Sequence, residues 1–289
     1  MRKVAGTVVA IAVLFAVVTL LKQRRPEEAD TADPGGAMVA ERERVRDFWD
    51  AYREATAFRI AEQPVEAAAA YRRALALNPG HQDALYYLGN MRFDVGDYAA
   101  AEQAWRRLVE VDPTNARGHS QLGLLYSCVG APAFVQLHRA AAEFERALAI
   151  NREETGSLLH LGEIALLRGD LARADSYLDA VVGSNYTSVP AYAYKAYLAW
   201  KAGAGSEAAR LLATAAGHAR GDAPAAAVPG EGDTRAGRAP MVTASSTCRP
   251  MRPGRADLSG ISDGTGPAAD SLYRALDSLL ERARRTIPR

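Results

Sequence analysis

The residues best suited to acid–base, nucleophilic or metal chemistry are scattered along this chain. Five histidines fall in separate segments, and none forms a His-x-x-x-His or His-Glu-x-x-His motif, the spacings that bind zinc from one helix face. We therefore expect no metal site. The histidines are His81, His119, His138, His160 and His218.

The two cysteines, Cys128 and Cys248, lie far apart, and no Cys-x-x-Cys motif occurs. That spacing indicates neither a redox centre nor a zinc ligand pair, and we expect two unpaired thiols. The chain also has no glycine-rich phosphate loop and no nucleophile elbow, and no acid–base pair stands out. The sequence therefore favours a protein without enzymatic activity and without a cofactor.

The composition is typical of helices and unlike that of a nucleic-acid-binding protein. The chain has 289 residues, a formal net charge of +1, many alanines and few aromatic residues. A near-neutral chain lacks the positive field that attracts polyanions, and alanine has the highest helix propensity. No run of alternating β-branched residues indicates a strand. We expect an all-α fold and no nucleic-acid partner.

Consecutive segments of the chain repeat one pattern of small, large and turn-forming residues. In the clearest copy, 82–115, Gly89 is followed by a turn at Gly96, a large residue at Trp105 and a closing Pro113. Glycine accepts the backbone of a tight turn, and proline stops a helix. This arrangement resembles the tetratricopeptide repeat (TPR), a unit of about 34 residues that folds as two antiparallel helices.

The same spacing fits four neighbouring segments. The third copy carries about five extra residues, and they fall at its turn, residues 131–137, where loop-closure entropy makes an insertion inexpensive. The resemblance implies a right-handed α-solenoid of about five helix hairpins over residues 38–219. The expected repeats are about 48–81, 82–115, 116–154, 155–188 and 189–219.

In TPR proteins the first helix of each hairpin lines the concave face, so the resemblance implies a protein-binding groove. Its residues are aromatic and aliphatic with scattered charges, which favours an amphipathic helix or an extended apolar segment as ligand. The implied groove residues are Trp49, Tyr52, Arg59, Asp83, Tyr86, Asn90, Phe93, Asp94, Arg117, Glu163, Tyr197 and Trp200.

The implied groove lacks most of the carboxylate clamp of the best-known TPR ligand sites. Chaperone-docking TPR domains hold a terminal carboxylate with Lys, Asn and Arg, whereas here Tyr52 and Tyr86 stand where a lysine would, and only Asn90 keeps a clamp-like place. The alternative interpretation is that several of the groove side chains pack between helices instead of facing a ligand.

The first 25 residues are expected to be a membrane anchor. Residues 4–21 carry no charge, and as a helix they would measure about 27 Å, enough to cross a bilayer core. Lys22 and Arg24 stand where a signal peptidase needs small residues, which favours an uncleaved signal anchor over a cleaved signal peptide. Basic residues flank both ends, so the positive-inside rule barely discriminates. We expect a single-pass protein with its repeats on the extracytoplasmic side, periplasmic in a bacterium.

The remaining segments differ in composition from the repeats. Residues 26–37 are expected to be a flexible spacer. Residues 220–267, with few large apolar groups, are expected to be a disordered linker. Residues 268–289 are expected to form an amphipathic helix with Leu276 and Leu280 on its apolar face. That helix is a cap on the last repeat, a tethered ligand lying in the chain's own groove, or a helix that binds a partner or a membrane surface.

Two functions are compatible with these features. The first is a membrane-anchored adaptor or scaffold that holds a protein partner in its groove and serves the assembly or stabilisation of a membrane or periplasmic complex, helped by the high effective concentration that tethering gives. The second is a self-assembling structural subunit, in which the repeats or the C-terminal helix mediate homo-oligomerisation.

Overall fold

The computed structural model describes residues 34–152, 154–222, 258 and 261–286. Within these ranges the chain forms eleven α-helices and no strand, so the expected all-helical fold is confirmed there. The helices are α1 (Pro34–Ile60), α2 (Pro64–Leu77), α3 (Gln82–Asp94), α4 (Tyr98–Val111), α5 (Ala116–Tyr126), α6 (Leu137–Ile150), α7 (Thr155–Arg168), α8 (Leu171–Ser184), α9 (Val189–Lys201), α10 (Gly205–Arg220) and α11 (Gly266–Thr286).

The chain divides into two compact parts, residues 1–49 and 50–289. In the first part the structure describes the beginning of α1, where the Phe48 and Trp49 rings meet edge to face at 5.0 Å. The helix begins at Pro34, within the segment that the sequence predicts to be a spacer, so the end of that predicted spacer is helical instead. The repeats lie in the second part.

The second part is a row of helical hairpins. Helices α3 with α4, α5 with α6, α7 with α8, and α9 with α10 form pairs, and each second helix also packs on the first helix of the next pair. Helix α2 packs on α3 in the same way. Because contacts run mainly between neighbours, the hydrophobic core extends along a solenoid-like stack, as in other repeat proteins.

Turn chemistry sets the length of the hairpins. Gly96, Gly169 and Gly203 have φ of 79°, 79° and 77°, the left-handed region that glycine enters without a Cβ clash. In the first repeat the equivalent residue is Glu62, with φ 57°. Asp97, next to Gly96, caps α4 by accepting a hydrogen bond from the backbone N–H three residues on, at 3.3 Å.

Glycine also lets the two helices of a hairpin approach closely. A Cβ on Gly89 would lie 2.2 Å from Nε1 of Trp105, and a Cβ on Gly123 would lie 2.9 Å from the Phe144 ring. Both aromatic side chains are fully buried. The Trp105 indole N–H donates across the same contact to the carbonyl oxygen of Tyr86, at 3.4 Å. The small-against-large pattern in the sequence is therefore a packing device within each hairpin.

The third repeat accommodates its extra residues in the turn between α5 and α6. A short 3₁₀ turn, Pro132–Phe134, lies there. Cys128, just before it, is fully buried and disulfide-bonded. The expectation of an unpaired thiol is therefore wrong at this position, because disulfides depend on proximity in space, which sequence spacing does not reveal. The other cysteine, Cys248, lies outside the described residues.

Two of the predicted segments fall wholly or largely outside the described residues. They are the membrane anchor, residues 1–25, and most of the linker, residues 223–257. Among the eleven helices that the structure describes, none combines the length and the apolar character that crossing a bilayer requires.

We expect Gly89→Ala to lower the free energy of unfolding by about 1–3 kcal/mol, because the added methyl group overlaps the Trp105 indole. The matched control is Gly156→Ala in α7, where an added Cβ meets no atom within 4 Å. That change should leave stability unchanged or raise it by about 0.5–1 kcal/mol. Chemical denaturation followed by circular dichroism measures both, and equal effects would contradict the close contact at Gly89.

Candidate protein-binding surface

The first helices α3, α5, α7 and α9 are joined side by side through polar contacts, some exposed and some buried. Ser120 of α5 donates to Glu154, just before α7, at 2.6 Å. Tyr194 of α9 donates to Glu163 of α7 at 3.1 Å. We call the side of the stack formed by these helices and by the end of α1 the first-helix face. The predicted groove residues from Tyr52 onward can be placed on it or behind it.

On α3 and α5, three predicted groove residues form one exposed cluster. Arg117 of α5 pairs with Asp83 of α3 at 2.7 Å. Its guanidinium also lies 4.7 Å from the centre of the Tyr86 ring, a cation–π contact. Gln121 donates to the Tyr86 hydroxyl at 3.3 Å. The Tyr86 ring is therefore held against α5 while part of it stays open to solvent.

The predicted groove residues at the end of α1 pack against α2 and α3 instead of facing an open groove. Arg59 donates to the Tyr71 hydroxyl at 3.3 Å and lies 4.3 Å from the centre of the Tyr87 ring. Tyr52 packs edge to face on Tyr71, with ring centres 5.6 Å apart. Burial is the main cause that raises the pKa of Tyr52 to about 12. Both predicted groove residues thus help to fix the end of α1 against α2 and α3. The predicted Trp49 belongs to the other compact part of the chain, where its side chain is 44% exposed.

Two acceptor groups on α3 bear an energetic cost. Asn90 is only 2% exposed, and its Oδ1 finds no hydrogen-bond donor among the described residues. One turn later the Asp94 carboxyl is partly buried, and that burial raises its pKa to about 6. A buried acceptor without a donor typically costs about 1–3 kcal/mol. A partner that brings an N–H donor or a cation to the partly exposed Asp94 carboxyl would offset its burial, whereas the Asn90 oxygen lies beneath the surface, out of a partner's reach.

Two other predicted groove residues lie inside the structure. Phe93 is fully buried, with its ring centre 5.6 Å from that of Trp105. Glu163 is also buried, and its carboxylate is engaged by the Tyr194 hydroxyl and by Nδ1 of His160 at 2.9 Å. These two side chains hold helices together and offer no surface to a partner.

The last two predicted groove residues are covered by the C-terminal helix. Tyr197 of α9 donates to Asp277 of α11 at 2.7 Å. The Trp200 ring stacks on Tyr273 of α11, with ring centres 5.4 Å apart. Lys201, one residue on, pairs with Asp277 at 2.6 Å. Tyr273 and Asp277 are not among the site residues predicted from the sequence, and the signal that could have pointed to them is the apolar stripe of α11 itself.

The first-helix face therefore has two regions. One is the acceptor surface, which we define as Asp83, Tyr86, Asp94 and Arg117 on α3 and α5; the predicted Asn90 lies buried beneath it. The other is the covered surface, formed by α7 and α9 beneath α11. In neither region, nor elsewhere among the described residues, do three or more His, Cys, Asp or Glu side chains come together in a way that could hold a metal ion.

The raised pKa of Asp94 gives a testable pH dependence. The folded state binds the Asp94 proton more tightly than the unfolded state does, so this residue favours folding at low pH and opposes it as the pH rises through about 6. Asp94→Asn should therefore raise the free energy of unfolding by about 1 kcal/mol at pH 7.5, a value reduced for solvent screening. At pH 4 the substitution should have little effect. Urea denaturation at both values measures this, and an equal effect at the two would contradict the assignment.

Comparison with known proteins agrees with this architecture. The tetratricopeptide repeat family matches residues 58–125 and again residues 136–190. No curated protein matches the chain.

The solved structure of MamA superposes with a TM-score of 0.52 at 19% identity, covering 63% of this chain and 98% of MamA. PilF of Pseudomonas aeruginosa superposes with a TM-score of 0.52 at 18% identity, covering 62% of this chain and 81% of PilF. At such identities these likenesses concern the fold alone. The chain therefore contains tetratricopeptide repeats, arranged in an all-helical, solenoid-like fold.

Proposed function

We propose that this protein is a non-enzymatic adaptor whose acceptor surface binds a segment of another protein. Tetratricopeptide repeats are generally protein-interaction scaffolds, and the acceptor surface is the part of the first-helix face that α11 leaves open. The proposal depends on the acidic and aromatic side chains that α3 presents. The Asp94 carboxyl is partly buried, which disfavours its charged form, and on the same helix Asp83 pairs with Arg117, whose guanidinium lies against the partly exposed Tyr86 ring.

The chemistry of the acceptor surface indicates what a partner segment must present. Asp94 calls for a cationic side chain or a backbone N–H, since either would satisfy a partly buried carboxylate. Tyr86, fixed by Arg117, offers a rigid aromatic surface for an apolar side chain, and such aromatic anchors dominate binding at many interfaces. A polypeptide segment that combines a basic and an apolar residue fits both demands.

We also propose that residues 1–25 anchor the protein in a membrane, with the repeats on the extracytoplasmic side. The uncharged run at residues 4–21 and the basic residues around it support an anchor. The disulfide at Cys128 supports an oxidising compartment, since disulfides are rare in reducing ones. Tethering would raise the effective concentration of the acceptor surface for a partner in the same membrane.

The acceptor surface is tested by the paired substitutions Tyr86→Ala and Tyr186→Ala. Tyr186 is 57% exposed in the turn before α9, so its removal controls for the loss of a surface tyrosine. We expect proteins cross-linked to the intact chain in detergent extracts to be recovered about tenfold less with Tyr86→Ala, as for an interface hot spot. Recovery with Tyr186→Ala should be unchanged. Equal recovery with both variants, at equal helical content, would remove the claim.

The proposed location is tested by fractionation and protease protection. We expect the chain to stay with membranes after an alkaline wash, because an apolar run of this length resists extraction. We also expect protease added to intact spheroplasts to degrade the repeats. Release by the wash would contradict the anchor, and protection of the repeats until the membrane is opened would contradict the orientation.

A further inference from the structure

The C-terminal helix α11 lies across the first helices of the last two hairpins. Near its start the Tyr273 hydroxyl donates to the carbonyl oxygen of Ala208, at the beginning of α10. Near its end Arg284 donates to the carbonyl oxygens of Leu166 and Leu167, at 2.7 and 3.1 Å. Between these points Asp277 meets α9. The helix therefore crosses α9 and reaches the C-terminal end of α7.

The apolar side of α11 is buried in this position. Its buried residues recur at helical spacing and belong to the same hydrophobic cluster as Leu166 of α7 and Tyr197 of α9. The opposite side, which includes Arg274 and Ala275, is exposed. The buried residues of α11 are Ala269, Tyr273, Leu276, Leu280 and Ala283.

This placement is that of a ligand rather than of an end cap. A cap shields the open end of a repeat stack, and here the last helix of the stack is α10. Helix α11 touches α10 near its own start, through Tyr273, but it packs mainly against α7 and α9, two first helices that are separated by α8 in the chain. It covers Tyr197 and Trp200, which the repeat pattern assigns to the ligand-binding face.

The polar contacts of α11 favour particular charges at two of its positions, and they are partly open to water. The Asp277 and Lys201 side chains keep 23% and 39% of their exposure in the ion pair. Lys201 and the Tyr197 hydroxyl together lower the pKa of Asp277, so an acidic residue is favoured at this place. Arg284 meets the negative end of the α7 dipole, where a cation is favoured.

We propose that the covered surface is a second binding site, that its external ligand is an amphipathic helix of a partner protein, and that α11 is a built-in competitor for it. The proposal rests on the proposed function only in placing partners on the first-helix face. The partner helix carries an aromatic residue followed, at four, seven and eleven positions after it, by an acidic residue, an aliphatic residue and an arginine. In α11 the residues at these spacings are Tyr273, Asp277, Leu280 and Arg284.

The apparent affinity of a partner helix depends on its competition with docked α11. Residues 221–265 join α10 to α11, so α11 docks within its own chain and competes at an effective concentration that this connection sets. A free partner helix therefore binds with an apparent affinity that is reduced by the docked fraction of α11. Partners that bind tightly, or that are concentrated by the same membrane, displace α11, whereas weak ones do not.

The test uses a fluorescent synthetic peptide of residues 266–286 and three forms of the full chain. The forms are wild type, Leu280→Asp and, as a matched control, Ala275→Asp. Leu280 is fully buried, so the new charge undocks α11, whereas Ala275 is exposed and tolerates the same change. We expect the peptide to bind the Leu280→Asp chain about tenfold tighter than the other two, because its competitor has been removed.

A charge swap tests the specificity of the same site. In the Leu280→Asp chain, a peptide carrying Asp277→Lys should bind at least about tenfold more weakly, because it faces Lys201. Adding Lys201→Asp to the chain should restore its binding. This rescue identifies the docking geometry, since a nonspecific apolar contact would not respond to the sign of the charge.

Two results would overturn the proposal. One is that the peptide fails to bind a Leu280→Asp chain in which the backbone amides of α7 and α9 stay protected from hydrogen exchange. The other is that Leu280→Asp exposes the backbone amides of α7 and α9 to rapid hydrogen exchange, which would make α11 a structural cap. Because no cellular partner is used, these outcomes are independent of the Tyr86 recovery experiment, and either proposal can fail alone.

Discussion

The close contact between a glycine on one helix and a large side chain on the next is the constraint on which the rest of this structure depends. Gly89 against Trp105, and Gly123 against Phe144, leave no room even for a methyl group. This contact sets the spacing inside these two hairpins, whose first helices α3 and α5 lie side by side in the stack. The first-helix face is thus a consequence of packing that occurs behind it.

The two regions of that face are in different states. The acceptor surface keeps a partly buried carboxyl at Asp94 and a partly exposed ring at Tyr86. The covered surface has its aromatic, cationic and carbonyl groups engaged by α11. Under the two proposals both surfaces bind a polypeptide, one from a partner protein and the other from the chain itself.

Local features were the most predictable from the sequence. The Gly-Asp turns, the closing prolines and the small-against-large spacing have local physical causes, and they predicted an all-helical repeat fold that the structure and the family match confirm. The orientation of individual side chains was less predictable. Phe93 and Tyr86 are both on α3, yet Phe93 packs behind the helix against Trp105 and Tyr86 lies on the face. A repeat position gives the helix on which a residue lies but only roughly its rotation about that helix.

Contacts between residues far apart in the chain could not be predicted from sequence spacing. The amphipathic pattern of α11 predicted a helix with a buried side, but it left three roles open, among which a cap on the last repeat was favoured. The choice depends on contacts such as Arg284 with Leu166 and Tyr273 with Ala208, between residues far apart in the chain. The disulfide-bonded state of Cys128 was unpredictable for the same reason.

Native-state hydrogen exchange of the intact chain tests most directly whether α11 is a ligand of the first-helix face or a part of the repeat core. A ligand opens by itself, so its amides exchange through a local opening that is less costly than the opening of its binding site. We expect the amides of α11 to exchange faster than those of α9, and denaturant to affect the two helices differently. Exchange of α11 and α9 at one shared free energy would contradict this expectation.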